Sequence, residues 1–249
     1  MSHVVVTGAG QGLGRAIALG FARDGARVTL AARTAERLEA VAAEARAAGG
    51  EALAVPTDVG DAEAVQRLAA VAVEHWGAPD AVVTAAGVAG PTVPLWELAP
   101  EDWDATLRAN LTGVFLTCRA FLPSMTARGS GSIVVIGSMT GKRPLPGRTP
   151  YAASKTGLIG LVRTLAWDTG GSGVRVNLVS PGPVDGERLE RVLRAQGPEG
   201  RERFLSASPL RRFATPQDVA DAVRFLCSDA AAAITGEDLN VSGGSVMYG

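Results

Sequence analysis

The stretch His3–Gly14, HVVVTGAGQGLG, joins a β-branched apolar run to a glycine-rich turn. The run His3–Thr7 predicts a buried strand, and the pattern at about Gly12–Asp24 predicts a helix directly after it. Glycine allows a tight turn and a close backbone approach to a phosphate, and a helix start offers free N–H groups to it. Many strand-to-helix turns are glycine-rich for structural reasons alone. This turn stands at the first junction of an alternating chain, which favours a dinucleotide as its ligand.

The same alternation runs along the whole chain. Predicted strands are His3–Thr7, Arg27–Ala31, Glu51–Val55, Ala81–Thr84, Ser132–Ile136, Val174–Val179 and Leu239–Val241. Predicted helices lie at about Gly12–Asp24, Ala35–Ala48, Asp61–Trp76, Trp103–Arg128, Tyr151–Thr169 and Pro216–Ser228. Continuous apolar runs such as VVV and IVVI are typical of strands buried on both faces. We therefore predict an α/β fold, in which one Rossmann-type domain over residues 1–249 holds a doubly wound parallel sheet of about seven strands flanked by helices.

One segment, at about 183–215, interrupts the alternation. It follows the predicted strand Val174–Val179 and contains a short helical piece, Glu187–Ala195. In doubly wound sheets the ligand lies at the carboxyl ends of the strands. The segment is therefore predicted to overhang that crevice as a substrate lid, although an ordinary long loop would give the same pattern.

Composition and charge exclude several classes of protein. The net charge is −1 and no basic run is present, so we expect no nucleic-acid partner. The cysteines Cys118 and Cys227 and the histidines His3 and His75 show no metal-ligand or disulfide spacing. No apolar run is long enough to cross a bilayer and no secretion signal opens the chain, so we expect a cytoplasmic protein without membrane contact.

The stretch PYAASK, residues 150–155, raises a question of chemistry. Tyr151 and Lys155 are four residues apart, and in a helix they share one face. Tyr151 could be a core aromatic residue beside a solvated lysine. It could also be an acid whose pKa, ordinarily ~10, is lowered by the lysine. The motif alone leaves both interpretations open.

The end of the second predicted strand bears on the choice of nucleotide. Sites specific for NAD carry an acidic residue here, but this chain has Ala32, followed by Arg33 and Thr34. A guanidinium can bind a 2′-phosphate through two hydrogen bonds, so NADPH is favoured over NADH. Arg33 could instead simply begin a solvated helix. After the third strand, Asp58 is placed to bind adenine, or equally to cap the next helix.

Taken together, the motifs resemble the short-chain dehydrogenase/reductase family over the whole chain. The matching positions are TGAGQGLG at 7–14, Asn110 in ANLTGVF, Ser138 in VVIGSMTG, YAASK at 151–155, Pro181–Gly182 and TGEDLNVSGG at 235–244. Ser138 also precedes Tyr151 by thirteen residues, as in that family. The resemblance implies an oxidoreductase that transfers a hydride between a nicotinamide cofactor and a small carbonyl or alcohol substrate.

The resemblance implies a role for each catalytic residue. Tyr151 would be the acid that protonates the substrate oxygen, and Lys155 would supply positive charge and hold the nicotinamide ribose. Ser138 would hydrogen-bond the substrate oxygen and stabilise developing charge. Asn110 would hold a water molecule that links Lys155 to solvent. Individually, Ser138 could be a turn residue and Asn110 a polar kink in a helix.

The implied cofactor is NADP(H), with NAD(H) as the alternative, and no metal is expected. The implied cofactor-binding residues are Gly8, Gln11, Gly12, Leu13, Gly14, Arg33, Thr34, Asp58, Val59, Ala86, Gly87, Tyr151, Lys155, Pro181, Gly182 and Val184. Two positions depart from the family pattern. Ala85 in TAAG replaces an asparagine and loses its hydrogen bond, and Gly186 replaces a threonine that holds the nicotinamide amide. Backbone groups such as those of Val184 would then anchor the amide.

The substrate itself stays undecided between a 3-oxoacyl thioester, a polyketide-like ketone, a sugar and a steroid. Arginines on the substrate side, which could meet an anionic or carrier-linked substrate, are Arg143, Arg148, Arg188 and Arg191. One alternative is a non-catalytic NADPH-binding regulatory protein, and another is a methyltransferase of similar fold. Excess apolar residues on Trp103–Arg128 and Tyr151–Thr169 predict a homotetramer or homodimer.

Overall fold

A computed structural model describes residues 2–195 and 199–247, and its centre is one parallel β-sheet. The strands are β1 His3–Thr7, β2 Arg27–Ala32, β3 Glu51–Pro56, β4 Ala81–Thr84, β5 Gly131–Ile136, β6 Val174–Pro181 and β7 Asp238–Val241. Their order in the sheet is β3-β2-β1-β4-β5-β6-β7. The chain therefore winds outward from β1 in both directions, which opens a crevice at the carboxyl ends of β1 and β4.

Helices cover both faces of the sheet. They are α1 Gly12–Arg23, α2 Ala35–Ala47, α3 Ala62–Trp76, α4 Pro100–Leu107, α5 Gly113–Arg128, α6 Thr149–Gly170, α7 Glu187–Ala195, α8 Gly200–Ser206 and α9 Pro216–Cys227. Residues of α1, α2 and α9 pack on one face, where Ile17, Leu38 and Val223 are buried. Residues of α3, α5 and α6 pack on the other, where Phe121 and Leu158 are buried. This arrangement confirms the predicted doubly wound fold.

The predicted strands agree with the observed ones to within two residues at each end, but one predicted helix is interrupted. The stretch Trp103–Arg128 was expected to form a single helix. Instead, α4 begins at Pro100, and a π-helical turn, Arg108–Thr112, separates it from α5. Proline suits the first turn of a helix because an N–H group at that position has no partner within the helix, so its absence costs no hydrogen bond. The wide turn lies where Asn110 bonds to a neighbouring loop.

The segment after β6 forms a small unit of its own. Val184 and Ala214 form an isolated parallel bridge, so the segment leaves and rejoins the sheet at nearly one point. Between them, α7 and α8 bury Leu189, Leu193 and Phe213 in a separate apolar cluster. The sequence predicted α7 but not α8, because the seven residues GRERFLS are too few and too polar to show a helical period.

Candidate active site

Tyr151 and Lys155 lie together on the buried face of α6. The helix has Pro150 in its first turn, and the exposed fractions of Tyr151 and Lys155 are only 9% and 6%. The Lys155 Nζ atom lies 5.9 Å from the centroid of the Tyr151 ring and donates to the Ile136 carbonyl oxygen at 2.8 Å. Lys155 is therefore not the solvated lysine of the simpler interpretation, and its charge is held beside the phenol ring.

Ser138 follows β5 in a loop that packs against α6. Its Oγ atom accepts a hydrogen bond from the Thr140 N–H at 3.1 Å. The Thr156 hydroxyl of α6 donates to the Gly141 carbonyl at 3.0 Å. A Cβ atom on Gly141 would lie only 3.0 Å from the carbonyl of Lys155, so a larger residue would require a small displacement of the helix. The loop that carries Ser138 is thereby fixed against the helix that carries Tyr151.

Asn110 lies in the π-helical turn and is completely buried. Its Oδ1 atom accepts from the Val88 N–H at 2.7 Å, and its Nδ2 atom donates to the Val88 carbonyl at 3.0 Å and to Ser154 Oγ at 3.1 Å. Ser154 Oγ in turn donates to the Tyr151 carbonyl at 2.8 Å. Both amide hydrogens are therefore used within the protein. A water molecule could be held by the second lone pair of Oδ1 or by the Asn110 carbonyl.

The geometry of the glycine-rich turn fits a pyrophosphate. A Cβ atom on Gly8 would lie 2.6 Å from the Ala86 backbone nitrogen, and one on Gly14 only 2.2 Å from the Gly8 carbonyl oxygen. These two glycines pack the turn against its neighbours. Gly12 differs, because it has a φ of +57° and open space where a Cβ atom would be. Its backbone is therefore accessible to a ligand at the start of α1.

The side chains beside this turn include a cation that the sequence interpretation missed. Arg33 is exposed, and Thr34 is the N-cap residue of α2. Arg37, in the first turn of α2, donates a hydrogen bond to the side-chain oxygen of Gln11. Arg33, which directly follows β2, and Arg37, in the first turn of α2, thus lie within five residues of the strand end where an acidic residue is absent. Arg37 was missed because its partner, Gln11, is 26 residues away in the sequence. Leu13 is partly buried against the core.

The structure resolves the alternatives for Asp58. The N-cap residue of α3 is Asp61, whose side chain accepts from the Glu63 and Ala64 N–H groups. Asp58 is exposed, and its Oδ1 atom accepts from the Gly60 N–H at 2.9 Å. The capping interpretation of Asp58 is therefore wrong. Val59 is buried in a small apolar cluster, so only its backbone could contact an adenine ring.

The loop after β4 brings its backbone close to Asn110 and Lys155. A Cβ atom on Gly87 would lie 2.9 Å from Asn110 Oδ1 and 3.9 Å from Lys155 Nζ. Ala86 N–H faces the Thr7 hydroxyl oxygen at 3.4 Å, which joins this loop to the end of β1. Ala85 packs on the hydrophobic core. The side chain at position 85 therefore contributes packing where the family pattern has a hydrogen-bonding amide.

The stretch after β6 leaves backbone groups for a ligand. Pro181 is buried, and a Cβ atom on Gly182 would lie 2.9 Å from the Ser242 Cα atom. In the bridge to Ala214, the hydrogen bonds use the N–H of residue 185 and the carbonyl of residue 183. The bridge therefore does not use the N–H or the C=O of Val184. The predicted contact with the nicotinamide amide needs these two groups. Gly186 has a φ of +143° and contributes no side chain.

The predicted substrate-side arginines differ in their surroundings. The Cζ atom of Arg148 lies 5.3 Å from the Tyr151 ring centroid, and its side chain donates to Thr92 Oγ1 at 3.0 Å. Arg148 therefore packs on the tyrosine instead of extending into solvent. Arg143 lines an open cleft beside the loop after β5. The side chains of Arg188 and Arg191 lie outside the part that the structure describes.

Other reactive side chains do not form a second centre. Within residues 2–195 and 199–247, no three His, Cys, Asp or Glu side chains are grouped to hold a metal ion. Burial raises the pKa of the Cys118 thiol to about 12, which leaves almost no thiolate at neutral pH. His3 bonds to the Gly77 carbonyl and to Thr29, and burial lowers its pKa. None of the described helices is long and apolar enough to span a membrane.

Comparisons with known proteins show what the chain is similar to over nearly its whole length. The model of a family described as enoyl-(acyl carrier protein) reductase matches residues 8–246. A 3-oxoacyl-(acyl-carrier-protein) reductase of Synechocystis sp. is 39% identical over 246 residues, which are 98% of this chain and 96% of that protein. An actinorhodin polyketide ketoreductase variant solved with NADPH is 34% identical, with a TM-score of 0.92 and coverage of 99% and 98%. NAD⁺-bound xylitol dehydrogenase is 30% identical, with a TM-score of 0.94 and 98% coverage of both chains.

Proposed function

Because the chain belongs to the short-chain dehydrogenase/reductase family, we propose that it reduces a small-molecule ketone with NADPH, using Tyr151 as the general acid. In general terms, the chain is an NAD(P)-dependent oxidoreductase, which transfers a hydride between the nicotinamide and a carbonyl or alcohol group. The assignment of these residues rests on the buried Tyr151–Lys155 pair. Lys155 donates to the carbonyl of Ile136, the last residue of β5, and Ser138 follows two residues later.

The chain has the groups needed to hold the dinucleotide. The open backbone at Gly12 and the start of α1 would bind the pyrophosphate. The N–H and C=O groups of Val184, which its bridge to Ala214 does not use, would bind the nicotinamide amide, and Lys155 would bind the adjacent ribose. When bound, the reduced nicotinamide supplies a hydride to the substrate carbon. The residues of the chain then have to position the carbonyl oxygen and deliver one proton to it.

Tyr151 would donate that proton from its phenol oxygen. A phenol is a weak acid, and nearby positive charge stabilises the phenolate that remains after the transfer. Lys155 supplies this charge, and the guanidinium of Arg148 over the same ring adds a second. Ser138 would donate a hydrogen bond to the carbonyl oxygen as negative charge develops there. Asn110 would connect Lys155 to solvent through a water molecule, so that Tyr151 can be reprotonated.

Two positive side chains support the preference for NADPH. Arg33 directly follows β2 and Arg37 is in the first turn of α2, and their guanidinium groups would bind a 2′-phosphate beside Ala32, which carries no carboxylate to repel it. The similar polyketide ketoreductase was solved with NADPH, which supports the same cofactor here. The similar xylitol dehydrogenase binds NAD⁺, so NADH has to be tested beside NADPH. The similar reductases favour ketone reduction as the direction, with 3-oxoacyl and polyketide-like ketones as candidate substrates.

We also propose that the chain is a cytoplasmic homotetramer or homodimer and that residues 1–249 form one domain. Support for the assembly comes from apolar side chains that α5 and α6 leave exposed, among them Phe115 and Trp167. Aromatic side chains of this kind are enriched in the surfaces through which proteins associate.

Tyr151→Phe tests the proposed reaction. This change removes the proton donor but keeps the ring, so we expect the rate of ketone reduction to fall by at least about 100-fold. Turnover is followed by nicotinamide absorbance with a panel of ketones, and NADPH and NADH are compared side by side. NADPH binding, measured by fluorescence, should stay near the wild-type value. Activity close to wild type would remove Tyr151 from this role, and a marked preference for NADH would contradict the cofactor assignment.

A further inference from the structure

An open cleft of about 230 Å³ lies beside the loop that carries Ser138. Its lining includes Met139 and Arg143 from that loop, Pro183, Arg203 and Phe204 from the segment after β6, and Ser245 from the stretch after β7. Met139 directly follows Ser138 in the chain. The cleft is therefore lined by the immediate neighbour of the residue proposed to bind the substrate carbonyl.

The charges of this cleft are of one sign. Arg143 and Arg203 come from different elements, and no Asp or Glu is among the described residues that line the cleft. An anion bound in the cleft would be attracted to the positive charge of both arginines. A guanidinium also binds a carboxylate or a phosphate through two parallel hydrogen bonds. The cleft is thus chemically matched to an anionic group.

Apart from Ser245, the remaining described lining is apolar, and the space is small. Met139, Pro183 and Phe204 supply apolar surface, and the Phe204 ring packs edge-on against Phe213 with centroids 6.5 Å apart. Pockets for drug-sized ligands usually hold about 300–1,000 Å³, so this cleft suits a smaller molecule. A short apolar stem between a carbonyl group and an anionic end would match the order of side chains.

A buried ion pair fixes the wall that bears Arg143. The Nζ atom of the preceding residue, Lys142, lies 2.9 Å from Asp238 Oδ2 and 2.7 Å from Asn240 Oδ1. The Lys142 and Asp238 side chains are only 2% and 3% exposed. Lys142 is therefore occupied by β7 and does not compete for a ligand. Its attachment holds the end of the loop in place, so that the backbone of Arg143 starts from a fixed position.

We propose that Arg143 and Arg203 select a small ketone that carries an anionic group, a carboxylate or a phosphate, over a neutral ketone. This inference rests on the proposed function, which places the reacting carbonyl at Ser138 and Tyr151. The two arginines bind the anionic end of the substrate, and Met139 and Phe204 contact the stem between the two ends.

The test compares matched anionic and neutral ketones. Levulinate is paired with methyl levulinate, and dihydroxyacetone phosphate with dihydroxyacetone, which separates a carboxylate from a phosphate. We expect wild-type kcat/KM to be higher for the anionic member of at least one pair. Arg143→Gln and Arg203→Gln should each lower that value about 10- to 100-fold, as expected for a lost hydrogen bond to a charged group, and leave the neutral ketones unchanged. Arg67→Gln, on the distant helix α3, is the control.

Equal losses for anionic and neutral ketones, or no wild-type preference for either anion, would overturn the inference. A binding measurement separates this failure from a failure of the proposed function. Tyr151→Phe protein saturated with NADPH is titrated calorimetrically with levulinate and with dihydroxyacetone phosphate, with and without Arg143→Gln. If the wild type reduces no ketone but binding still depends on Arg143, the proposed function fails and the anion site stands. Binding that is indifferent to Arg143 removes the site.

Discussion

Ser154 is completely buried, and its hydroxyl group lies between two residues proposed for catalysis. It accepts from the Asn110 side chain at 3.1 Å and donates to the Tyr151 carbonyl at 2.8 Å. The hydroxyl group therefore ties the π-helical turn to the first turn of α6. Because Asn110 also holds the Val88 backbone, one small side chain joins three parts of the site.

We expect Ser154→Ala to disturb both stability and turnover. The change leaves a buried Asn110 N–H without its partner, which should lower the free energy of unfolding by about 1–3 kcal/mol. The value of kcat should fall several-fold because Asn110 and Tyr151 lose their link, while the KM for NADPH stays near wild type. Urea unfolding and steady-state kinetics measure these effects. Ser124→Ala is the control, since Ser124 makes the same local bond to Phe121 at 2.9 Å; an unchanged kcat in Ser154→Ala would contradict the linking role.

Sequence reasoning at this scale succeeds where residues are close along the chain. The spacing of Tyr151 and Lys155 predicted a shared helical face, and both side chains do lie on the buried face of α6. Ser154 was missed because its partner, Asn110, is 44 residues away and a serine in a helix usually makes only a local bond. The capping alternative for Asp58 was wrong because Asp61 is an equally good cap nearer the helix.

The ion pair between Lys142 and Asp238 connects two elements that are distant in sequence. It joins the loop after β5 to the edge strand β7, and Asn240 on the same strand adds a hydrogen bond. Both charged side chains are almost fully removed from water. Two buried charges of opposite sign are tolerated together, but one of them alone carries a large desolvation cost.

Lys142→Met should therefore be far more destabilising than the double change Lys142→Met with Asp238→Leu. The single variant leaves the Asp238 carboxylate buried without its partner, at an expected cost of about 3–5 kcal/mol in the free energy of unfolding. In the double variant both charges are gone, so most of that loss should be regained. Denaturant unfolding of both variants and the wild type measures this. A double variant as unstable as the single one would show that the pair is not an isolated electrostatic unit.

Element bounds could be predicted well because apolar runs and alternation are local signals. The strands β1 and β4 have the predicted limits, since the carboxyl end of each is marked by the loss of β-branched residues. The break at Arg108–Thr112 could not be predicted. It coincides with the hydrogen bonds between Asn110 and Val88, which are long-range contacts and leave no periodic trace in the sequence.

At the scale of the molecule, the strand order brings the proposed site together. Asn110 follows β4, and Ser138 and Tyr151 both follow β5, so all three lie at the carboxyl side of one parallel sheet. Alternation of strands and helices predicted that the sheet is parallel, and carboxyl ends in a parallel sheet share one edge. The sequence did not specify which strands are neighbours, because that order depends on how each helix packs across the sheet.

The outer surface of the molecule carries a large exposed aromatic side chain on α6. Trp167 is 90% exposed, and Phe115 of α5 is 47% exposed, although both helices bury their opposite faces against the sheet. Exposing an indole ring to water is unfavourable, and tryptophan is enriched at the centres of protein interfaces. The exposed side of α5 and α6 is therefore the surface through which we expect copies of the chain to associate.

Trp167→Glu tests that association. A carboxylate buried in an apolar interface without a partner costs several kcal/mol, so we expect the wild-type dimer or tetramer to dissociate into smaller species. Light scattering coupled to size exclusion gives the mass, against a protomer of 25.5 kDa. Trp96→Glu is the matched control, because Trp96 is 85% exposed but lies in a short turn outside α5 and α6. A wild type that is monomeric, or a Trp167→Glu protein that keeps the wild-type mass, would show that this surface is not the interface.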